Sequence, residues 1–150
     1  MFSEESLKRL NEIRNRILYI FELCKEEGIV KTLSDVKEKQ PAIIMHLIVC
    51  NENLQKLQDN VDINLAEIFT KEDIRGLKAI RNIASHDYDG LNLGIIEEII
   101  RNKLPKIEKN IDNFINKNIQ EELNETKEQH NKNLENLYNQ NSNKKLNKRK

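Results

Sequence analysis

After Pro41 the chain reads AIIMHLIVCNENLQKL, a run that begins apolar almost all the way round. A helix without a polar face has to be covered on most sides, at the centre of a bundle or at a contact between subunits. Pro41 suits the first turn of that helix, because its missing N–H costs nothing there. The stretch from Ala42 to Leu57 is therefore the element around which the others must pack. Only 37% of the 150 residues are hydrophobic, Gly and Pro number four and two, and Trp is absent. That mix suits narrow apolar stripes on helices rather than sheets, so the expected fold is all-α, an antiparallel helical bundle.

The flanking sequence fills in the bundle. Leu7, Leu10, Ile13, Ile17, Ile20, Phe21 and Cys24 recur at three- and four-residue steps, which predicts a helix from about Ser3 to Glu27. Ser3, or Ser6, caps its start and Gly28 its end. Thr32 to Lys39 reads as a short helix or turn, and Asp59 to Phe69 as a connection with one helical turn. Thr70 followed by Asp73 resembles a capping box for a helix from Lys71 to about Tyr88. That helix buries Ile74, Leu77, Ile80, Ile83 and Ala84, and the turn signal Asp89-Gly90 ends it. Asn92 caps a further helix through Leu93, Ile96, Ile99 and Ile100. Pro105 opens the last one, which carries Ile107, Ile111, Phe114 and Ile115.

Beyond about Asn118 Asn and Lys dominate, with Ile119 and Leu123 extending the last helix. Two parts are expected, a helical domain over 1–118 and a polar extension over 119–150. The stretch after Asn139 is expected to be disordered. Its basic end, Lys144 to Lys150, reads as a solvated tail, with weak RNA contact the alternative.

Basic and acidic residues balance at 25 each, so any nucleic-acid contact has to be local. No stretch approaches the roughly 20 apolar residues of a membrane span. The start, MFSEESLKRL, lacks the apolar centre of a signal peptide. A cytoplasmic protein is expected. Cys24 and Cys50 lie among apolar neighbours and read as buried thiols rather than a disulfide or metal site.

The octapeptide Arg81-Asn82-Ile83-Ala84-Ser85-His86-Asp87-Tyr88 gathers the chemistry. Arg grips a phosphate with two parallel hydrogen bonds, and His suits proton transfer near neutral pH. Five residues at roughly 100° each set Arg81 and His86 about 140° apart on a helix. Asn82 and His86 share a face, as do Arg81 and Tyr88 if the helix lasts that long. One copy supplies one imidazole, whereas phosphodiester cleavage works best with two proton-transfer groups. A two-fold dimer brings the second. The bland alternative makes Arg81 a surface cation, His86 a helix C-terminal cap and Tyr88 an aromatic at the edge of the core.

The segment IRGLKAIRNIASHDYDGLNLGIIEEIIRNKLPKIEKNIDNF resembles the HepT toxins of the HEPN superfamily. Their signature, Arg, four residues, His, one residue, Tyr, is matched by Arg81, His86 and Tyr88, with the expected polar residue following the Arg in Asn82. The short helix afterwards and Leu104-Pro105 also look like that family, and the likeness covers roughly residues 4–116. It implies a HEPN-type bundle, commonly dimeric, with paired motifs forming a metal-independent ribonuclease site between subunits. It implies no cofactor. It also implies a partner, an MntA-type nucleotidyltransferase antitoxin that transfers AMP to the motif Tyr, here Tyr88. An added AMP brings bulk and negative charge beside Arg81 and His86.

In the mechanism these residues suggest, a ribose 2′-hydroxyl attacks the adjacent phosphorus. His86 of one subunit takes its proton and the twin His86 protonates the leaving oxygen. Arg81 offsets charge growing on the phosphate oxygens, and Asn82 donates a further hydrogen bond or orients His86. A competing reading is a non-catalytic helical module that serves only as partner or substrate of a nucleotidyltransferase. Of the other histidines, His46 reads as buried and hydrogen-bonded, or as an interface contact, and His130 as solvated. Glu12, Asp35 and Asp87 are possible supporting charges. Tyr19 and Tyr138 lie outside any motif.

Overall fold

The computed structural model describes residues 3–60, 62–86 and 92–148, which hold helices and turns and no strand. The chain divides into two units, Met1–Phe114 and Ile115–Lys150.

In the first unit, α1 spans Glu4–Cys24 and buries Leu10, Ile13, Ile17, Ile20 and Cys24 of the stripe read from the sequence, with Leu7 and Phe21 half-buried. Ser3 caps it, its Oγ accepting from the Ser6 N–H at 3.1 Å. Ser6 is buried instead of capping, and its hydroxyl lies 3.2 Å from an Asp62 carboxylate oxygen. Asp62 also accepts the Ser3 N–H at 2.6 Å, so the connection after α3 is tied to the start of α1. The Ser3 N–H bond is the main reason the Asp62 carboxyl is held below its ordinary range. The helix ends earlier than Glu27 because Gly28, at φ 85°, turns the backbone into a conformation that disfavours side chains. Gly28 N–H bonds back to the Cys24 carbonyl at 3.0 Å.

That turn also moves the next element. A short α2 spans Ile29–Leu33, ahead of the expected Thr32 to Lys39. Thr32 faces inward, its hydroxyl donating to the Gly28 carbonyl at 2.7 Å. The central helix α3 spans Lys39–Gln58 and packs against α1, α2 and α4 (Lys71–His86). It buries Ile43, Ile44, Leu47, Cys50, Asn51, Leu54 and Leu57, while Met45 stays 55% exposed. Its start lies two residues before Pro41, where Asp35 accepts from the Glu38 and Lys39 N–H groups at 3.3 and 3.4 Å. Burying this face of α3 stabilises the fold by roughly 1.5–3 kcal/mol for each large apolar side chain.

The connection to α4 contains one 3₁₀ turn at Leu65–Glu67, as expected. The helix α5 spans Leu93–Glu98, with Asn92 accepting the Gly94 N–H at 2.9 Å as its cap. A π-helical turn, Ile99–Lys103, then leads into α6, Leu104–Lys148. Pro105 has no N–H to close an ordinary turn onto residue 101, and a wider turn accommodates its ring. Within the first unit α6 buries Leu104, Ile107, Ile111 and Phe114. Arg14 of α1 joins it through Asp112 at 2.7 Å and Glu108 at 3.4 Å.

In the second unit α6 continues through Lys148, so the stretch after Asn139 that composition assigns to disorder is helical as far as it is described. Its Leu134, Leu137 and Tyr138 are exposed.

Candidate active site

The motif helix α4 begins with the capping box expected of it. The Asp73 N–H donates to Thr70 Oγ1 at 3.1 Å, and the Thr70 N–H donates to Asp73 Oδ2 at 2.9 Å. Leu77 and Ile80 then anchor the helix in the core, at 3% and 2% exposure, and Ile74 and Ala84 are half-buried. The Ile83 side chain lies outside the described residues.

This anchoring sets the motif. At roughly 100° per residue, Arg81, Asn82 and His86 fall about 100°, 200° and 240° round from Ile80. Positions 82 and 86 thus fall on the arc of α4 turned away from its buried stripe, whereas Arg81 falls between Leu77 and Ile74, about 60° and 120° round, on the inward side. Arg81 is half-buried and Asn82 is exposed. The backbone stays helical as far as His86, so positions 82 and 86 are one turn apart on the same face. The side chains of Ser85 and His86 are outside the described residues, as are Asp87, Tyr88 and the Asp89-Gly90 turn. Among the described residues no group of three or more His, Cys, Asp or Glu gathers as metal ligands would.

The other candidates take structural roles. Asp35 starts α3, as above. Glu12 pairs with Arg16 at 2.9 Å on α1. His46 is half-buried rather than fully buried. Arg16 Nη1 lies 3.2 Å from His46 Nδ1, and the Tyr19 ring packs at 5.6 Å between centroids. Because Arg only donates, Nδ1 is the acceptor and the ring proton sits on Nε2. Burial, then the Arg16 cation, lowers the His46 pKa, so the ring is neutral. His130 is exposed. Cys24 and Cys50 are both buried free thiols, and Cys50 Sγ lies 3.7 Å from the Ile13 carbonyl. Burial raises the Cys24 pKa and pushes Cys50 up to about 12, which disfavours the thiolate form at both.

Two buried polar residues of α3 escaped the sequence reading, Gln40, whose Nε2 donates to the Leu33 carbonyl at 2.8 Å, and Asn51. Asn51 is 1% exposed on the apolar face of α3, and its Nδ2 has no hydrogen-bond partner among the described residues. Its spacing, four after Leu47 and three before Leu54, was the available signal. An apolar groove of about 670 Å³ lies elsewhere, lined by Phe21, Cys24, Ile29, Ile100 and Pro105 among others. Among the described residues, no motif residue lines it, so its size does not make it the reaction site.

A family model described as HepT-like, ribonuclease HepT-like, matches residues 4–114. That span contains the whole octapeptide and most of the stretch, 4–116, over which the sequence resembles the family. No curated protein and no solved structure matches the chain.

Proposed function

The chain belongs to the HepT-like ribonuclease family, and from that premise we propose that it is a toxin that cleaves RNA without a metal ion and is silenced by AMPylation of Tyr88. The observation that carries this reading is the motif's lying inside the matched span in the family's spacing, with Asn82 exposed and positions 82 and 86 one turn apart on one face of α4. Arg81 binds the scissile phosphate. The 2′-oxygen forms a bond to phosphorus as the 5′-oxygen bond breaks. One His86 accepts the 2′ proton and the His86 of a second copy supplies a proton to the leaving 5′-oxygen. Arg81 offsets the charge that develops on the phosphoryl oxygens, and Asn82 donates to the same group or to the imidazole. Two copies of the chain therefore face each other at the site.

The partner is an MntA-type nucleotidyltransferase antitoxin. It transfers AMP from ATP to the Tyr88 hydroxyl with loss of pyrophosphate, and the new phosphate takes up Arg81 in place of RNA.

Induced expression of wild type beside Arg81→Ala and His86→Ala tests the catalytic assignment. Each variant should lose growth arrest while its stability changes by no more than about 1 kcal/mol. Arrest as strong as wild type in either variant, at equal protein level, would remove that residue from the mechanism.

A further inference from the structure

The second unit is a helix whose apolar side faces water. Ile119, Leu123, Leu134 and Leu137 are 46, 48, 52 and 57% exposed. With Thr126 and His130 they follow steps of four, three, four, four and three, a pattern that repeats every eleven residues. At about 100° per residue all six fall within an arc of about 80°. Residues 115–148 also include ten Asn, a weak helix former. A lone helix of this composition is unstable in water, and most helical stability in proteins comes from packing an apolar stripe. The stripe therefore calls for a cover.

Charge says what that cover is. Residues 121–128 carry four Glu and one Lys, whereas residues 144–150 carry five cations and no acid. A partner lying antiparallel needs a basic end opposite Glu121 and Glu122, and acidic residues opposite Lys144 and Lys145. This same helix, turned round, has both. It also opposes the two helix dipoles. Parallel pairing would set each charged stretch against its own twin, which is unfavourable. An eleven-residue repeat lies close to the natural helical period, so the two helices stay nearly straight.

We infer that the C-terminal helix pairs antiparallel with the same helix of a second copy of this chain, the two copies meeting at the Leu134 and Leu137 end of the stripe. With Glu122 opposite Lys144, the two-fold axis falls beside Leu134. This pairing uses none of the motif residues, so it stands apart from the proposed reaction.

Cross-linking of the full chain reads the register directly. Cys24 and Cys50 are buried, so wild type provides a blank under mild oxidant. Leu134→Cys should form a disulfide-linked dimer. Glu122→Cys alone should not, but mixed with a differently tagged Lys144→Cys it should give the mixed dimer. Adding Leu137→Lys to Leu134→Cys should cut the linked fraction severalfold by placing a charge in the stripe. Self-linking of Glu122→Cys as complete as that of Leu134→Cys would show parallel pairing and overturn the inference. So would the absence of any link. Links that vanish after nuclease treatment would mean that RNA on the basic ends bridges the copies, and would overturn it equally.

Discussion

Tyr88 follows Arg81 by seven residues, close to two helical turns, which is why an AMP on its hydroxyl is proposed to deliver a phosphate to the same guanidinium. Tyr88→Phe keeps the ring and deletes the acceptor oxygen. Co-expressed with a cognate nucleotidyltransferase, wild type should gain the mass of one adenylyl group on the peptide holding Tyr88 and lose toxicity. Tyr88→Phe should gain none and stay toxic. Peptide mass spectrometry that finds AMP on Tyr19 or Tyr138 alone would refute the assignment. His46 gives a second test at this scale. Its pKa is lowered in the fold, first by burial and then by Arg16. The unfolded chain therefore binds the proton more readily. Stability is complete above the unfolded value of about 6.5 and declines as pH falls toward the folded value. His46→Gln keeps an acceptor for Arg16 and removes the titration. Its melting temperature should drop less than that of wild type between about pH 7 and about pH 5; equal drops would show that His46 contributes nothing to acid sensitivity.

The motif helix depends on its reciprocal cap, in which Thr70 and Asp73 each satisfy an N–H of the other. Thr70→Ala removes the hydroxyl and should cost about 1 kcal/mol of unfolding free energy by urea denaturation. A loss near zero would mean that water replaces the cap without penalty. This cap was legible in the sequence because both partners lie within four residues of each other, and the same holds for Ser3 on α1 and Asn92 on α5. The position of α2 was not legible in the same way. The residues from Thr32 to Lys39 are as compatible with a helix as those from Ile29 to Leu33. The choice falls to Gly28 at positive φ and to Asp35, whose carboxylate closes off the turn by taking the N–H groups that start α3.

At the scale of the whole molecule, the chemistry proposed for the site needs two copies and no ion. Each chain supplies a single motif His, and the two proton transfers fall to His86 and its twin. RNA cleavage by the purified protein should therefore survive excess EDTA and leave 2′,3′-cyclic phosphate ends. Cleavage lost in EDTA and restored by magnesium would replace this mechanism with a metal-assisted one. Among the described residues no helix is long and apolar enough to cross a membrane. The match to the HepT-like family stops at residue 114, where the first unit also ends, so the family says nothing of the second.

What sequence alone determined is what short-range periodicity encodes. The stripe from Leu10 to Cys24, the central place of the helix after Pro41, and Leu77 and Ile80 as the anchors of the motif helix follow from apolar residues that must leave water. Arg81, Asn82, His86 and Tyr88 became the residues to test through the resemblance to the HepT toxins, because their spacing by itself allows a surface cation, a helix cap and an edge aromatic equally. Only tertiary structure decided which side of α3 is buried, because an apolar run offers several equivalent faces and its neighbours choose among them. Met45 was left out and Asn51 taken in. It alone assigned Asp35 and Asp62 to holding the backbone, since a carboxylate's role depends on which N–H groups come to lie beside it. The helix that continues through Lys148 is the other such case. Composition weighs how much apolar surface a segment has, and not that Ile119, Leu123, Leu134 and Leu137 fall on one side of a helix.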